Sequence, residues 1–211
     1  MLKKLIMLLA IFIVFNNINC TQAPSEETLN LLKYAQEGNI AGIQRALDNG
    51  GDVNAKDNSG NSPLLWAEYT ENIDIIILLL KNGADINSAD DFESTVLLIA
   101  IRRGYLDIAR LLVDSSTNIN IQDNDGRTAL IYACINGHLE IARLLIDAGA
   151  DVNIQDNEGN TALMNACFYR HLEIVRLLLD SDADINIQNN AGRTALSYAR
   201  EQNNFNIIRL L

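Results

Sequence analysis

From residue 26 to the last position, apolar and polar residues follow a pattern that returns every 33 residues. Apolar-Asn pairs stand at Val53-Asn54, Ile86-Asn87, Ile119-Asn120, Val152-Asn153 and Ile185-Asn186. The triplets Ser62-Pro63-Leu64, Thr95-Val96-Leu97, Thr128-Ala129-Leu130, Thr161-Ala162-Leu163 and Thr194-Ala195-Leu196 keep the same step. So do Ala67, Ala100, Ala133, Ala166 and Ala199, and the leucine pairs at 78/79, 111/112, 144/145, 177/178 and 210/211. A fixed period of this length over five cycles is the mark of a repeat architecture.

Each cycle predicts the same elements. A turn such as Asp123-Asn124-Asp125-Gly126 favours a tight reversal. Thr128, like Ser62, Thr95, Thr161 and Thr194, is placed to cap a first helix, which ends near Gly137. A second helix, over about Leu139 to Ala148, carries Ile141, Leu144 and Leu145 at i, i+3, i+4 spacing, and Gly149 closes it. One such helix pair cannot bury its own apolar face, so neighbours must stack into a solenoid. The prediction is an all-α fold of stacked helix-turn-helix units joined by β-turn or hairpin loops.

A 33-residue unit built this way resembles the ankyrin repeat, over residues 26 to 211. Within one cycle Asp123, Gly126, Thr128, Ala129, Leu130, Ala133, Gly137, His138, Leu139, Ile141, Leu144, Leu145, Gly149, Ala150, Asp151, Val152 and Asn153 match the family pattern. Units are expected at 26–56 (a more polar cap), 57–89, 90–122, 123–155, 156–188 and, in part, 189–211. Several positions depart from the pattern. Glu93 replaces the turn glycine, Ser116-Thr117-Asn118 replaces Gly-Ala-Asp, and Arg170 replaces the glycine before His171. A looser second full repeat is expected from these changes. The last unit ends on an apolar pair, which fits a frayed end, a self-association edge or a truncated chain alike.

The N-terminus has a different pattern. Lys3 and Lys4 precede an uncharged apolar run of 11 positions, Leu5 to Phe15. Counted to Ile18 the run is 14 residues, short of the roughly 20 needed to span a bilayer, so residues 1–19 read as an export signal. Cys20 stands where a bacterial lipoprotein signal places its lipidated cysteine, although Asn17 and Asn19 depart from the usual aliphatic and small residues of that motif. Lipidation at Cys20, followed by a short tether over 20–25, is the expectation. Ordinary cleavage after Cys20 is the rival. The chain is therefore expected in a bacterial cell envelope as a periplasm-facing or surface lipoprotein, or else secreted.

Composition narrows the function. Hydrophobic residues make up 48% of the chain, enough for a packed core. The formal net charge is −11, which disfavours a phosphate-backbone or anionic-membrane surface as the main partner. No nucleic acid is expected, and contact with a membrane only through the lipid anchor. His138 and His171 lie one repeat apart, each with a Glu two residues on; on a helix those side chains diverge, so both read as structural. Cys134 and Cys167 also repeat, and helices stacked roughly 8–10 Å apart hold Cα atoms beyond the roughly 7 Å limit of a disulfide, which predicts two free buried thiols. The acidic pairs Asp90-Asp91 and Asp123/Asp125 read as turn residues. With no phosphate loop, nucleophile elbow or metal-spaced cluster in the sequence, neither catalysis, cofactor nor metal is expected.

The family resemblance implies a protein partner docked on the concave face, built from turn tips and first helices. Carried over position by position, that face includes Tyr69, Phe92, Arg102, Arg103, Arg127, Ile135, Phe168 and Tyr169. Aromatic and arginine side chains dominate binding hot spots, and these are the candidates. Two alternatives remain at this stage: end-to-end self-association through the apolar C-terminal edge, and a secreted effector that binds a host protein.

Overall fold

A computed structural model describes residues 24–113 and 117–211. The expected signal segment, Cys20 and most of the tether lie outside the described residues. Twelve helices run α1 (Glu26–Glu37), α2 (Ile40–Asp48), α3 (Pro63–Tyr69), α4 (Ile73–Lys81), α5 (Val96–Arg103), α6 (Leu106–Leu112), α7 (Ala129–Asn136), α8 (Leu139–Asp147), α9 (Ala162–Phe168), α10 (Leu172–Asp180), α11 (Ala195–Glu201) and α12 (Phe205–Ile208). The sole bridge among the described residues pairs Ala89 with Thr95.

The first helix of each pair starts where the sequence predicts. Ser62, Thr95, Thr128, Thr161 and Thr194 are the N-caps, each hydroxyl accepting from the backbone N–H three residues on. The first unit follows the same rule with Ser25, whose hydroxyl accepts from the Thr28 N–H. Such a cap satisfies one of the amides that a helix N-terminus leaves without a partner.

Odd-numbered helices form an inner layer, each packed on the next, and even-numbered helices form an outer layer. The buried alanine series Ala67, Ala100, Ala133, Ala166 and Ala199 lets the inner helices approach closely. Leu79, Leu112, Leu145 and Leu178, the second leucine of each pair, are fully buried from the outer helices. Burial of each such side chain is worth about 1.5–3 kcal/mol. Inner helices pack on one another more closely than outer ones do, and their exposed side and the turn tips form one continuous face.

The apolar-Asn motif has a joining role. The side-chain oxygens of Asn54, Asn87, Asn120 and Asn153 accept from the backbone N–H of Asp85, Asn118, Asp151 and Asp184 in the next unit, at 2.8–3.0 Å. Register between units is thus specified by hydrogen bonds as well as by apolar packing.

The backbone keeps its repeat even where the residue changes. The position ending an inner helix is left-handed at Gly104 (φ +79°), Gly137 (φ +76°) and also Arg170 (φ +66°). At Gly137 glycine has a second reason, since an added Cβ would lie 2.6 Å from the His171 ring. The turn position is left-handed at Gly126 (φ +74°) and equally at Glu93 (φ +58°). There the tip-to-tip ladder is stretched. Asn124 donates to the Phe92 and Asp91 carbonyls at 3.3 and 3.4 Å, whereas Asn157 makes the matching bonds at 3.0 and 2.8 Å. At this junction a Cβ occupies the space that glycine leaves open elsewhere.

Candidate functional site

At the tip of each full unit Asp57, Asp90, Asp123, Asp156 or Asn189 folds the turn around itself. One side-chain oxygen accepts the backbone N–H groups two and four residues on, at 2.8–3.0 Å. These acids are therefore turn-forming residues, in agreement with the sequence reading. The remaining side-chain atom meets the residue nine positions on, at the start of the inner helix. Trp66 Nε1 donates to Asp57 Oδ2 at 2.9 Å, Tyr132 OH to Asp123 Oδ2 at 2.6 Å, and Asn189 Nδ2 to Tyr198 OH at 3.0 Å. In the other two units that slot holds Ile99 and Asn165, and no ring covers the acid. Asp90 and Asp156 then each open into a hollow.

The first hollow, about 300 Å³, is lined by Asp90 together with Tyr69, Phe92 and Arg102. The second, about 350 Å³, is lined by Asp156 and by Arg102, Arg127, Ile135, Phe168 and Tyr169, with Tyr132, Asn165 and Tyr198. Seven of the eight sequence-predicted residues thus meet in two adjacent hollows that share Arg102. The eighth, Arg103, stacks its guanidinium 4.5 Å from the Tyr69 ring centroid beside them. Phe92 is 71% exposed, and Tyr69, Phe168 and Tyr169 are well exposed too, leaving apolar surface for a partner to cover. Phe168 sits edge-on to both Tyr169 and Tyr198, with centroids 5.0 and 5.6 Å apart, which holds the aromatic wall in one arrangement.

Asp156, Asn165, Tyr132 and Tyr198 were not among the sequence-predicted residues. The signal was present in the change of the slot residue from Trp66, Tyr132 and Tyr198 to Ile99 and Asn165. Its meaning depends on a contact nine residues back, which periodicity alone does not disclose.

Glu68 is a second departure. Of its counterparts, Ala35, Ile101, Cys134 and Cys167 are buried and non-ionised and Arg200 is exposed, yet Glu68 is buried with both carboxylate oxygens lacking a hydrogen bond. Burial pushes its pKa up from 4.5 to about 7, against the opposing pull of Arg103, at 3.9 Å, and of Arg102. Burial likewise raises the carboxyl of Asp156. Cys134 and Cys167 are free and buried; burial holds the Cys134 thiol far above its ordinary range and pushes Cys167 up to about 12, so both are unreactive thiols. His171 packs under Gly137 with Nε2 3.3 Å from the Ile135 carbonyl, and His138 packs under Gly104 in the same way. Among the described residues no group of three His, Cys, Asp or Glu side chains could hold a metal ion.

A stack of capped helix pairs with Tyr69, Phe92, Phe168 and Tyr169 exposed on its inner side defines a repeat scaffold. The family model for ankyrin repeats (3 copies) matches residues 2–90, 82–156 and 148–211, and the chain belongs to the ankyrin-repeat family. The crystal structure of an ankyrin repeat domain from Acinetobacter baumannii AYE is similar at 33% identity and TM-score 0.80, covering 85% of this chain and 94% of that one. That of EF0377, an ankyrin repeat protein, is similar at 30% identity and TM-score 0.82, covering 88% of this chain and 98% of the other. No curated protein sequence matches the chain significantly. In all, 622 chains of solved structures match, so the likeness fixes the architecture and leaves the partner to the surface. Ankyrin repeats are generally protein–protein interaction modules, and the fold is typically non-catalytic.

Proposed function

We propose that this chain is an exported, non-catalytic binding module, lipid-anchored through Cys20 in a bacterial envelope, that holds a protein partner on its concave face. The observation that carries the binding reading is the run of exposed aromatic and arginine side chains from Tyr69 to Tyr169 across neighbouring units. The export reading rests on Lys3, Lys4 and the apolar run Leu5 to Phe15. Among the described residues no helix is long and apolar enough to cross a membrane.

A photo-crosslinking residue at Phe168, compared with one at Glu140 on the outer layer, tests the face in cells that express the chain. A discrete protein adduct from position 168 alone is expected; equal adducts from both positions, or none from 168, would count against it. Intact mass of the purified protein tests the anchor. A mass of residues 20–211 plus acyl chains on Cys20 is expected. A chain beginning at Thr21 would replace the anchored reading with a secreted one, and an uncut chain would remove the export reading.

A further inference from the structure

We propose that the hollow around Asp156 receives an arginine side chain of the protein partner. This deepens the concave-face reading and rests on it. Asp156 Oδ1 accepts the Glu158 and Asn160 backbone N–H groups, at 3.0 and 2.8 Å. In the units carrying Trp66, Tyr132 or Tyr198, a ring satisfies the second side-chain atom. Here the slot residue is Asn165, which donates one amide N–H to the Thr161 carbonyl at 3.0 Å and makes no bond to Asp156. Asp156 Oδ2 therefore accepts no hydrogen bond from the described residues, and Asp156 lines the hollow.

Two more residues with unbonded acceptors line the same hollow. Asn136 donates its amide N–H groups to the Tyr132 and Arg102 carbonyls at 3.0 and 3.4 Å and Asn165 donates one to the Thr161 carbonyl, and neither amide oxygen accepts a bond from the described residues. The hollow thus offers one carboxylate oxygen and two amide oxygens, with Tyr132, Phe168 and Tyr169 as rings around them. These unbonded acceptors, flanked by aromatic faces, complement a planar cation with several N–H groups, although Arg102 and Arg127 also line the hollow. A guanidinium fills both requirements at once, stacking on a ring while donating in its plane.

The arginines already present do not fill the site. Arg127 pairs with Asp125 at 3.4 Å and faces the Tyr132 ring from 5.9 Å; its charge acts on Asp156 and its buried Nε has no hydrogen-bond partner, yet neither it nor Arg102 comes within ion-pair distance of Asp156 or Glu158 among the described residues. The net charge of −11 favours a basic segment over an acidic one at long range.

The test uses isotope-labelled full-length chain and two tripeptide probes, acetyl-Gly-Arg-Gly-amide and its citrulline counterpart, which has the same shape without the charge. Saturable NMR shifts at Asn136, Asp156, Asn165 and Tyr169 are expected with the arginine probe, at least about tenfold weaker with citrulline. Asp156→Asn removes the charge while keeping the turn, since Asn189 forms the same turn in the next unit; it is expected to weaken binding about tenfold. Asn165→Tyr restores the ring that covers the acid in other units and is expected to abolish the shifts. Equal binding of citrulline, shifts at other positions, or retention of binding in both variants would overturn the assignment. Loss of this result beside a retained Phe168 crosslink would overturn the arginine site and leave the concave-face function standing.

Discussion

At Glu68 a carboxyl group occupies a buried slot that four other units fill with Ala35, Ile101, Cys134 and Cys167, and its raised pKa couples folding to pH. The folded form binds its proton up to about pH 7, while the unfolded chain releases it near 4.5. The contribution of this group is therefore full below pH 4.5 and is lost as pH rises toward and through 7. By linkage the loss is about 3 kcal/mol across that window. Urea denaturation of Glu68→Gln should show a flatter stability profile between pH 5 and 8, with the variant the more stable at pH 8; parallel profiles would refute the coupling. Glu93 carries a smaller cost. It is a left-handed non-glycine residue (φ +58°) at a stretched ladder, and Glu93→Gly should raise stability by about 1 kcal/mol. The reverse change, Gly137→Ala, forces a side chain into φ +76° and against the His171 ring, and should cost about 2 kcal/mol or more, read from the same titration.

At the scale of the element, each short inner helix depends on its cap. α7 and α9 have 8 and 7 residues, too few to be stable alone in water, so the hydroxyl of a buried Thr128 or Thr161 weighs heavily. Thr128→Ala should lower stability by about 1 kcal/mol and hasten amide exchange in the first turn of α7. The cap series was legible in the sequence because capping is local: the acceptor and its N–H lie three residues apart. The acid-to-ring contact of Asp123 with Tyr132 was not legible, although its period is the same, because it joins a turn to a helix across the fold of the unit. The left-handed backbone at Glu93 and Arg170 was legible only as a departure from glycine. That the backbone holds its conformation regardless is decided by the neighbouring units.

At the scale of the whole molecule, stability in a stack is shared between each unit and its neighbours. α7 and α9 are flanked by inner helices on both sides, whereas α11 packs inward on α9 alone among the inner helices described. Hydrogen exchange should therefore be slowest in α7 and α9 and faster in α11 and α12. Uniform protection along the chain would contradict this one-dimensional coupling.

The family resemblance indicated the side of the stack on which Tyr69 to Tyr169 fall; the sequence by itself determined the spacing and phase of the units, the caps and the buried alanine and leucine series. These follow from a strict 33-residue period, which places equivalent residues in equivalent environments. Only the tertiary structure decided that those candidates gather in two hollows, that Asp90 and Asp156 open into them, and that Glu68 lies buried without hydrogen bonds. Each of these arises from contacts between elements nine or more residues apart, where the outcome depends on which side chain the neighbouring slot happens to hold.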